Sequence, residues 1–178
     1  MLNAIKNFMR MRALKRDASH TPTAILPIRE IHSAVAFIDV ADTSFDNCKL
    51  ALQAFFRDNN IKGEIFFFDF RKITSQDRLI TSITNTVLRK DVSWYGKPSR
   101  EKLNLLRGTG ADMFISLVKS DDFPIEYMAK CSTAKFKVGR VQLPGNTFDM
   151  VISEPADKEL SQLDVFSGIK DYLGYIAS

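Results

Sequence analysis

The chain has 178 residues, of which 45% are hydrophobic and 26% are charged, and two of them are cysteines. This composition is that of an ordinary globular protein and excludes collagen, disordered polyelectrolytes and small disulfide-framework proteins. The formal net charge of +4 is concentrated at the N-terminus, because residues 1–16 carry five basic and no acidic side chains. The other residues hold 20 basic and 21 acidic side chains, so the body of the protein is nearly neutral.

The N-terminal segment, residues 1–16, has the pattern of a basic amphipathic helix. At 100° per residue, one broad face collects the apolar side chains Leu2, Ile5, Phe8, Met9 and Ala13. Its candidate surface-contact residues are Lys6, Arg10, Arg12, Lys15 and Arg16. Such a helix docks on its own domain or on a second copy in a homodimer, or it contacts an anionic membrane or nucleic acid. The neutral body argues against nucleic-acid binding by the domain itself.

After this segment, residues 17–33 contain two prolines and are interpreted as a connector to a single α/β domain over residues 34–178. Six short apolar runs predict strands: Ser33–Val40, Glu64–Phe70, Val87–Trp94, Asp112–Val118, Lys135–Val141 and Phe148–Ser153. Helical periodicity lies between and after them, over residues 45–56, 99–106, 123–131 and 158–176, and more weakly over 74–80. This alternation predicts a three-layer α/β fold with a mostly parallel, doubly wound, Rossmann- or flavodoxin-like sheet of five or six strands.

Polar side chains follow three of the predicted strands. Asp39 and Asp42 follow the first strand, Asp69 and Arg71 the second, and Lys119 the fourth. The carboxyl ends of parallel strands are where doubly wound folds bind ligands, and three carboxylates there can hold a Mg²⁺ ion. These five residues are therefore the candidate ligand-binding site. The alternative interpretation is that they are polar only because loops are exposed.

Three segments resemble ligand-binding motifs without completing them. Gly96-Lys97-Pro98-Ser99 resembles the end of a P-loop, but the first glycine of that motif is replaced by Asp91. Gly108-Thr109-Gly110 precedes a predicted strand, whereas a dinucleotide-binding loop follows one. Asp39–Thr43 resembles the DxDxT signature of haloacid-dehalogenase-like phosphotransferases, with one residue too many between its aspartates. We therefore interpret these segments as turns and helix caps.

Cysteine and histidine usage argues against a metal centre. The histidines are His20 and His32, and Cys48 and Cys131 belong to no CxxC pair. We predict two buried thiols in a reducing cytoplasm, no metal site and no cofactor. Charges interrupt every apolar run before it reaches the length of a signal peptide or a membrane span.

Three segments together resemble a small bacterial family of unknown function from Bacteroides-type organisms. They are Lys90–Pro98 (KDVSWYGKP), Asp112–Leu117 (DMFISL) and Ser132–Gly139 (STAKFKVG), and the resemblance covers residues 34–175. It implies no activity. The order of DMFISL, a helix and AKFKVG is also similar to the N-terminal half of heptosyltransferase-like glycosyltransferases. That likeness implies the fold more than the activity, since those enzymes bind the sugar nucleotide mainly with a second domain.

These observations leave three hypotheses for function. The first is a non-catalytic cytoplasmic protein that binds a partner or a small ligand, because no complete catalytic constellation is present. The second is a Mg²⁺-dependent enzyme that handles phosphates or nucleotides with Asp39, Asp42 and Asp69. The third is contact with a membrane surface or nucleic acid through the basic N-terminal helix.

Overall fold

A computed structural model describes residues 1–72 and 81–176 of the chain. Its helices are α1 (Leu2–Asp17), α2 (Phe45–Asp58), α3 (Arg100–Gly108), α4 (Phe123–Cys131) and α5 (Gln162–Ile176). Its strands are β1 (Ser33–Asp39), β2 (Lys62–Asp69), β3 (Thr86–Leu88), β4 (Met113–Ser116), β5 (Phe136–Gly139) and β6 (Met150–Val151). They form one parallel sheet in the order β3-β2-β1-β4-β5-β6. The prediction of a three-layer, doubly wound α/β fold is confirmed.

The sheet separates two apolar cores because successive side chains of a strand point to opposite faces. In β1, Ala36 and Ile38 pack in the core beneath α2 and α5, whereas Val35 and Phe37 pack in the core beneath α3 and α4. Phe37 lies at the centre of an aromatic group in the second core, with ring centroids 4.8 to 5.3 Å from those of three neighbouring phenylalanines. Both faces of the sheet are therefore buried, which is why its strands are continuously apolar.

Helix α1 packs on the α4 side of the sheet through one face only. Ala13 is buried in the second core, and the Tyr127 hydroxyl donates a hydrogen bond to Asp17 over 2.6 Å. Leu2, Ile5 and Phe8, however, are exposed, so only the part of the predicted apolar face that holds Ala13 and the half-buried Met9 docks. The docked side therefore carries the small Ala13, the partly buried Leu14 and the polar contact of Asp17. Among the described residues, no helix is long and apolar enough to cross a membrane.

Two predicted element boundaries differ from the structure by four residues or more. The third strand ends at Leu88 rather than Trp94, because the Asp91 carboxylate accepts a hydrogen bond from the Leu88 N–H over 2.9 Å and turns the chain. Trp94 is exposed as a result. The last helix begins at Gln162 rather than near residue 158, because Ser161 and Asp164 hydrogen bond to each other in the manner of a capping box. The short helix predicted over residues 74–80 lies entirely outside the described residues.

The two cysteines lie on opposite sides of the sheet, and both thiols are buried and free as predicted. Cys48 on α2 packs in the first core, and Cys131 at the end of α4 packs in the second. Burial raises the pKa of Cys48 to about 12 and the pKa of Cys131 to about 11. Neither thiol is therefore ionised at neutral pH.

Gly139 provides a test of the packing between β5 and Phe148. A Cβ atom at Gly139 would lie 2.3 Å from the Phe148 ring, so Gly139→Ala should lower the free energy of unfolding by about 2 kcal/mol. Gly174 on α5 has open space around it, so Gly174→Ala should raise that free energy by about 0.5 kcal/mol. Urea denaturation of both variants measures the difference, and equal effects of the two would contradict the packing described here.

Candidate functional site

The carboxyl edge of the sheet gathers charged side chains from the loops that follow β1, β2, β4, β5 and β6. Asp39 and Asp42 stand at the end of β1, and Asp69 is the last residue of the neighbouring β2. Asp39 lies opposite Phe68, the residue before Asp69, and Gln162 hydrogen bonds to both Asp39 and Asp42, so the three residues share one edge. Lys119 follows β4 and contacts the same group through Glu154.

Arg140 directly follows β5 and lies at the centre of this edge, with its side chain only 3% exposed. One terminal nitrogen lies 2.6 Å from a Glu154 oxygen and also donates to the Leu160 carbonyl. The other donates to Asp42 over 3.4 Å and to the Leu117 carbonyl over 3.3 Å. A single guanidinium therefore connects the loops after β1, β4 and β6 with the start of α5.

The Asp42 carboxylate is committed to this local structure. It accepts hydrogen bonds from the Ser44 N–H over 2.9 Å, the Ser44 hydroxyl over 2.7 Å and the Gln162 N–H over 3.2 Å. Burial raises its pKa, but these hydrogen bonds and Arg140 outweigh burial and leave the pKa below its usual value. Asp42 thus organises the start of α2, in agreement with the interpretation of Asp39–Thr43 as a turn and cap.

The other predicted charges are also paired. Both Asp69 oxygens accept hydrogen bonds from Arg71, each over 2.8 Å, and the Asp69 side chain is fully buried. The Lys119 ammonium lies 2.7 Å from Glu159 and 3.1 Å from Glu154. The hydrogen bond from Arg140 lowers the pKa of Glu154, with a further contribution from Lys119, and burial opposes this only in part.

Of Asp39, Asp42 and Asp69, it is Asp39 that keeps a carboxylate oxygen available. Its Oδ1 accepts a hydrogen bond from the Ala41 N–H over 2.8 Å, and its Oδ2 has no partner among residues 1–72 and 81–176. Burial raises its pKa, and the charges of Asp42 and Asp69 add to this effect. A partly buried carboxyl group with a raised pKa can bind a ligand or transfer a proton.

The arrangement of these side chains does not form a magnesium site. No three His, Cys, Asp or Glu side chains in the described part of the chain are grouped as a shared metal ion requires. Asp42 points its oxygens at Ser44 and Arg140, and Asp69 points both of its oxygens at Arg71. Asp39, Asp42 and Asp69 are therefore neighbours without being a ligand set.

Arg140, Glu154 and Gln162 were not singled out from the sequence. The predicted strand Lys135–Val141 includes Arg140, although β5 ends one residue before it. The rule that polar residues directly after a buried strand are site candidates would have identified Arg140 if this end had been predicted correctly. Gln162 is completely buried and exchanges hydrogen bonds with the backbone of Asp39, which no local pattern indicates.

The predicted surface-contact residues of α1 divide between its two sides. Lys6 and Arg10 are half-buried on the docked side, and Arg10 donates to the Tyr95 carbonyl over 2.7 Å. Arg12, Lys15 and Arg16 are exposed, and Arg16 pairs with Asp17 over 2.7 Å. The exposed charge of the helix thus lies in its C-terminal half.

Replacing Arg140 tests whether its guanidinium holds this edge together. Arg140→Met leaves Asp42 and Glu154 without their buried partner, so the free energy of unfolding at pH 7 should fall by about 3 kcal/mol. Arg57→Met is the matched control, because Arg57 is exposed and pairs only with Asp58; it should change that free energy by less than about 0.5 kcal/mol.

The same variant has a distinct pH dependence. The folded-state pKa values of Asp42 and Glu154 are lowered, so the stability they provide is complete above about pH 5 and is lost as the pH falls through those values. Arg140→Met should therefore lose less stability than the parent protein between pH 5 and pH 3 in urea denaturation. An unchanged pH profile would contradict the network.

Asp39→Asn tests the environment of the available carboxylate. A raised pKa means that the ionised form of Asp39 destabilises the folded protein. The free energy of unfolding therefore falls as the pH rises through the folded-state pKa of Asp39. The variant should be more stable than the parent protein at pH 7, and the difference should shrink towards pH 4. Equal stability of the two proteins at pH 7 in urea would contradict this environment.

Comparisons with known proteins identify a family. Searches of curated proteins and of solved structures found no significant match. The model of a Family of unknown function (DUF6913) matches residues 3–176, so the matched region includes α1 as well as the whole sheet and α5. The expected likeness to a family of unknown function is confirmed, and it extends further towards the N-terminus than residues 34–175. The chain belongs to the Family of unknown function (DUF6913).

Proposed function

We propose that this chain is a non-catalytic binding protein that attaches to an anionic membrane surface through α1. The observation that carries the proposal is that α1 docks by one face and leaves large apolar side chains on the other. The exposed fractions of its outward apolar residues are 70% for Leu2, 48% for Ile5, 64% for Phe8 and 68% for Met11. Met1 is fully exposed at the end of the same helix.

The charge around these apolar side chains is positive. Arg12 and Lys15 follow them on the outward side of α1, form no ion pair with any described residue, and face no acidic side chain within residues 1–16. An apolar groove of about 750 Å³ continues from Phe8 and Met11 towards Pro144, and Glu126 and Lys130, which pair with each other over 2.6 Å, contribute to its lining. An apolar surface bordered by unpaired cations suits the interface of an anionic bilayer.

The free energies of membrane binding differ between the basic and the apolar side chains of α1. A lysine or arginine near an anionic bilayer contributes about 1 kcal/mol. Full burial of a leucine, isoleucine or phenylalanine side chain contributes about 2 kcal/mol. The apolar group of Leu2, Ile5 and Phe8 therefore supplies most of the binding free energy. Arg12 and Lys15 direct the helix to membranes that carry negative charge.

A second copy of the chain fits this surface less well. Parallel pairing of two α1 helices would bring Arg12 and Lys15 of both copies together, and antiparallel pairing would place them against the partner's apolar end. Both arrangements leave unfavourable contacts, whereas a bilayer offers hydrocarbon and negative charge at the same time. A homodimer is thus an outcome that the experiment below distinguishes.

The proposal includes the predicted cytoplasmic location. Anionic lipids are concentrated in the cytoplasmic leaflet, and the two free thiols suit a reducing compartment. We also propose a bacterial origin. The proposal includes as well the likeness of the DMFISL and AKFKVG segments to the N-terminal half of heptosyltransferase-like glycosyltransferases. That likeness bears on the fold more than on transferase activity, because those enzymes bind the sugar nucleotide mainly with a second domain.

Vesicle sedimentation of point variants tests the proposal. The parent protein should sediment with phosphatidylcholine vesicles that contain phosphatidylglycerol and should remain in solution with phosphatidylcholine alone. The double variant Ile5→Gln/Phe8→Gln keeps good helix formers and should reduce sedimentation at least about tenfold. Arg12→Gln/Lys15→Gln should remove the preference for anionic vesicles. Leu50→Gln is the matched control, since Leu50 is 59% exposed on α2, on the other side of the sheet.

Three results would overturn the proposal. The first is a parent protein that does not sediment with anionic vesicles. The second is undiminished sedimentation of Ile5→Gln/Phe8→Gln. The third is a dimer in analytical ultracentrifugation that the same double variant dissociates, because this would assign the surface to a second copy of the chain.

A further inference from the structure

A second cavity, of about 300 Å³, opens at the carboxyl edge of the sheet on the α4 side. Arg10 from α1, Phe70 and Arg89 from the ends of β2 and β3, and Asp122 and Phe123 from the start of α4 line it. It does not include Asp39, Asp42 or Arg140. This cavity is therefore separate from the network described above and from the outward face of α1.

Two arginines face this cavity, and each is held by a backbone carbonyl. Nε of Arg10 donates to the Tyr95 carbonyl over 2.7 Å, and its guanidinium lies 4.7 Å from the centre of the Phe123 ring. Nε of Arg89 donates to the Phe70 carbonyl over 2.6 Å, and its guanidinium lies 6.0 Å from the centre of the Phe70 ring. Both guanidinium groups are thus oriented before any ligand binds.

The terminal nitrogens of these two arginines are unused in the described structure. No carboxylate among residues 1–72 and 81–176 forms an ion pair with Arg10 or Arg89. Four other arginines each have a carboxylate oxygen within 3.2 Å: Arg16, Arg57, Arg71 and Arg140. Two oriented guanidinium groups that form no ion pair within the described part of the chain therefore face one cavity.

We propose that this cavity binds the phosphate group of a small phosphorylated ligand or free phosphate. Two guanidinium groups match the several oxygens of a phosphate, and the first turn of the nine-residue helix α4 adds its positive end. The rings of Phe70 and Phe123 give an apolar wall for an organic group attached to the phosphate. The volume is at the lower end of small-molecule pockets, which limits that group to a small one.

Asp122 on the rim opposes this binding and makes the test more specific. Its carboxylate is exposed and lines the same cavity, so it repels a bound phosphate. Removal of the Asp122 charge should therefore strengthen binding, whereas removal of the Arg89 charge should weaken it. A general loss of folding would weaken phosphate binding in both variants, so opposite changes in affinity indicate a direct effect of each charge.

Isothermal titration of the full chain with phenyl phosphate and with inorganic phosphate, at low ionic strength, tests the site. Arg89→Gln should weaken binding at least about tenfold, and Asp122→Asn should strengthen it about threefold. Arg10→Gln should act like Arg89→Gln, with urea denaturation as the check that the variant is folded. Arg57→Gln, which removes an exposed arginine on α2, is the matched control and should bind like the parent protein.

The two ligands distinguish the two sources of phosphate. Tighter binding of phenyl phosphate assigns the cavity to a phosphorylated organic ligand, and equal binding assigns it to free phosphate. Absence of binding of both ligands, equal binding by Arg89→Gln and the parent protein, or an equal loss in Arg57→Gln would overturn the site. Arg89→Gln should sediment with anionic vesicles as the parent protein does. The titration therefore tests the phosphate site, and the sedimentation tests membrane attachment, independently of each other.

Discussion

The buried guanidinium of Arg140 is the interaction on which the carboxyl edge of the sheet depends. Taking an arginine out of water is costly, and here the cost is offset by Glu154, Asp42 and two backbone carbonyls from separate loops. Because these partners follow different strands, the ends of the parallel strands are held in one arrangement. Because the Asp42 carboxylate is bound to Arg140, Ser44 and Gln162, it is not available to a ligand, whereas Asp39 keeps one oxygen available.

Helix α1 shows that a few polar contacts can decide which face of an amphipathic helix docks. Asp17 accepts hydrogen bonds from Arg16 and from the Tyr127 hydroxyl, and Lys97 lies 3.4 Å away. The hydrogen bond from Arg16 lowers the pKa of Asp17 far below its usual range, although burial opposes it. This orientation turns the large apolar side chains outward and brings Arg10 to the second cavity. One helix thus contributes to both proposed binding surfaces.

The fold could be predicted from the sequence because it depends on local patterns. Short apolar runs such as Ser33–Val40 and the three- and four-residue spacing in α5 indicate their elements without reference to distant residues. The remaining features depend on contacts between residues far apart in the chain: Arg140 with Asp42 across 98 positions, and Tyr127 with Asp17 across 110. Hydrogen bonds between such residues produce no periodic pattern in the sequence, so the orientation of α1 and the pairing of Arg140 with Asp42 emerged only from the structure.

The placement of the two cysteines makes each half of the protein separately observable. Cys48 on α2 and Cys131 at the end of α4 pack in the cores on opposite sides of the sheet, so each side of the molecule contains one buried thiol. A thiol reagent in solution reaches either sulfur only when the helix that carries it separates from the sheet. The rates of labelling at the two positions therefore report how often each layer separates from the sheet, and whether the two layers open together or independently.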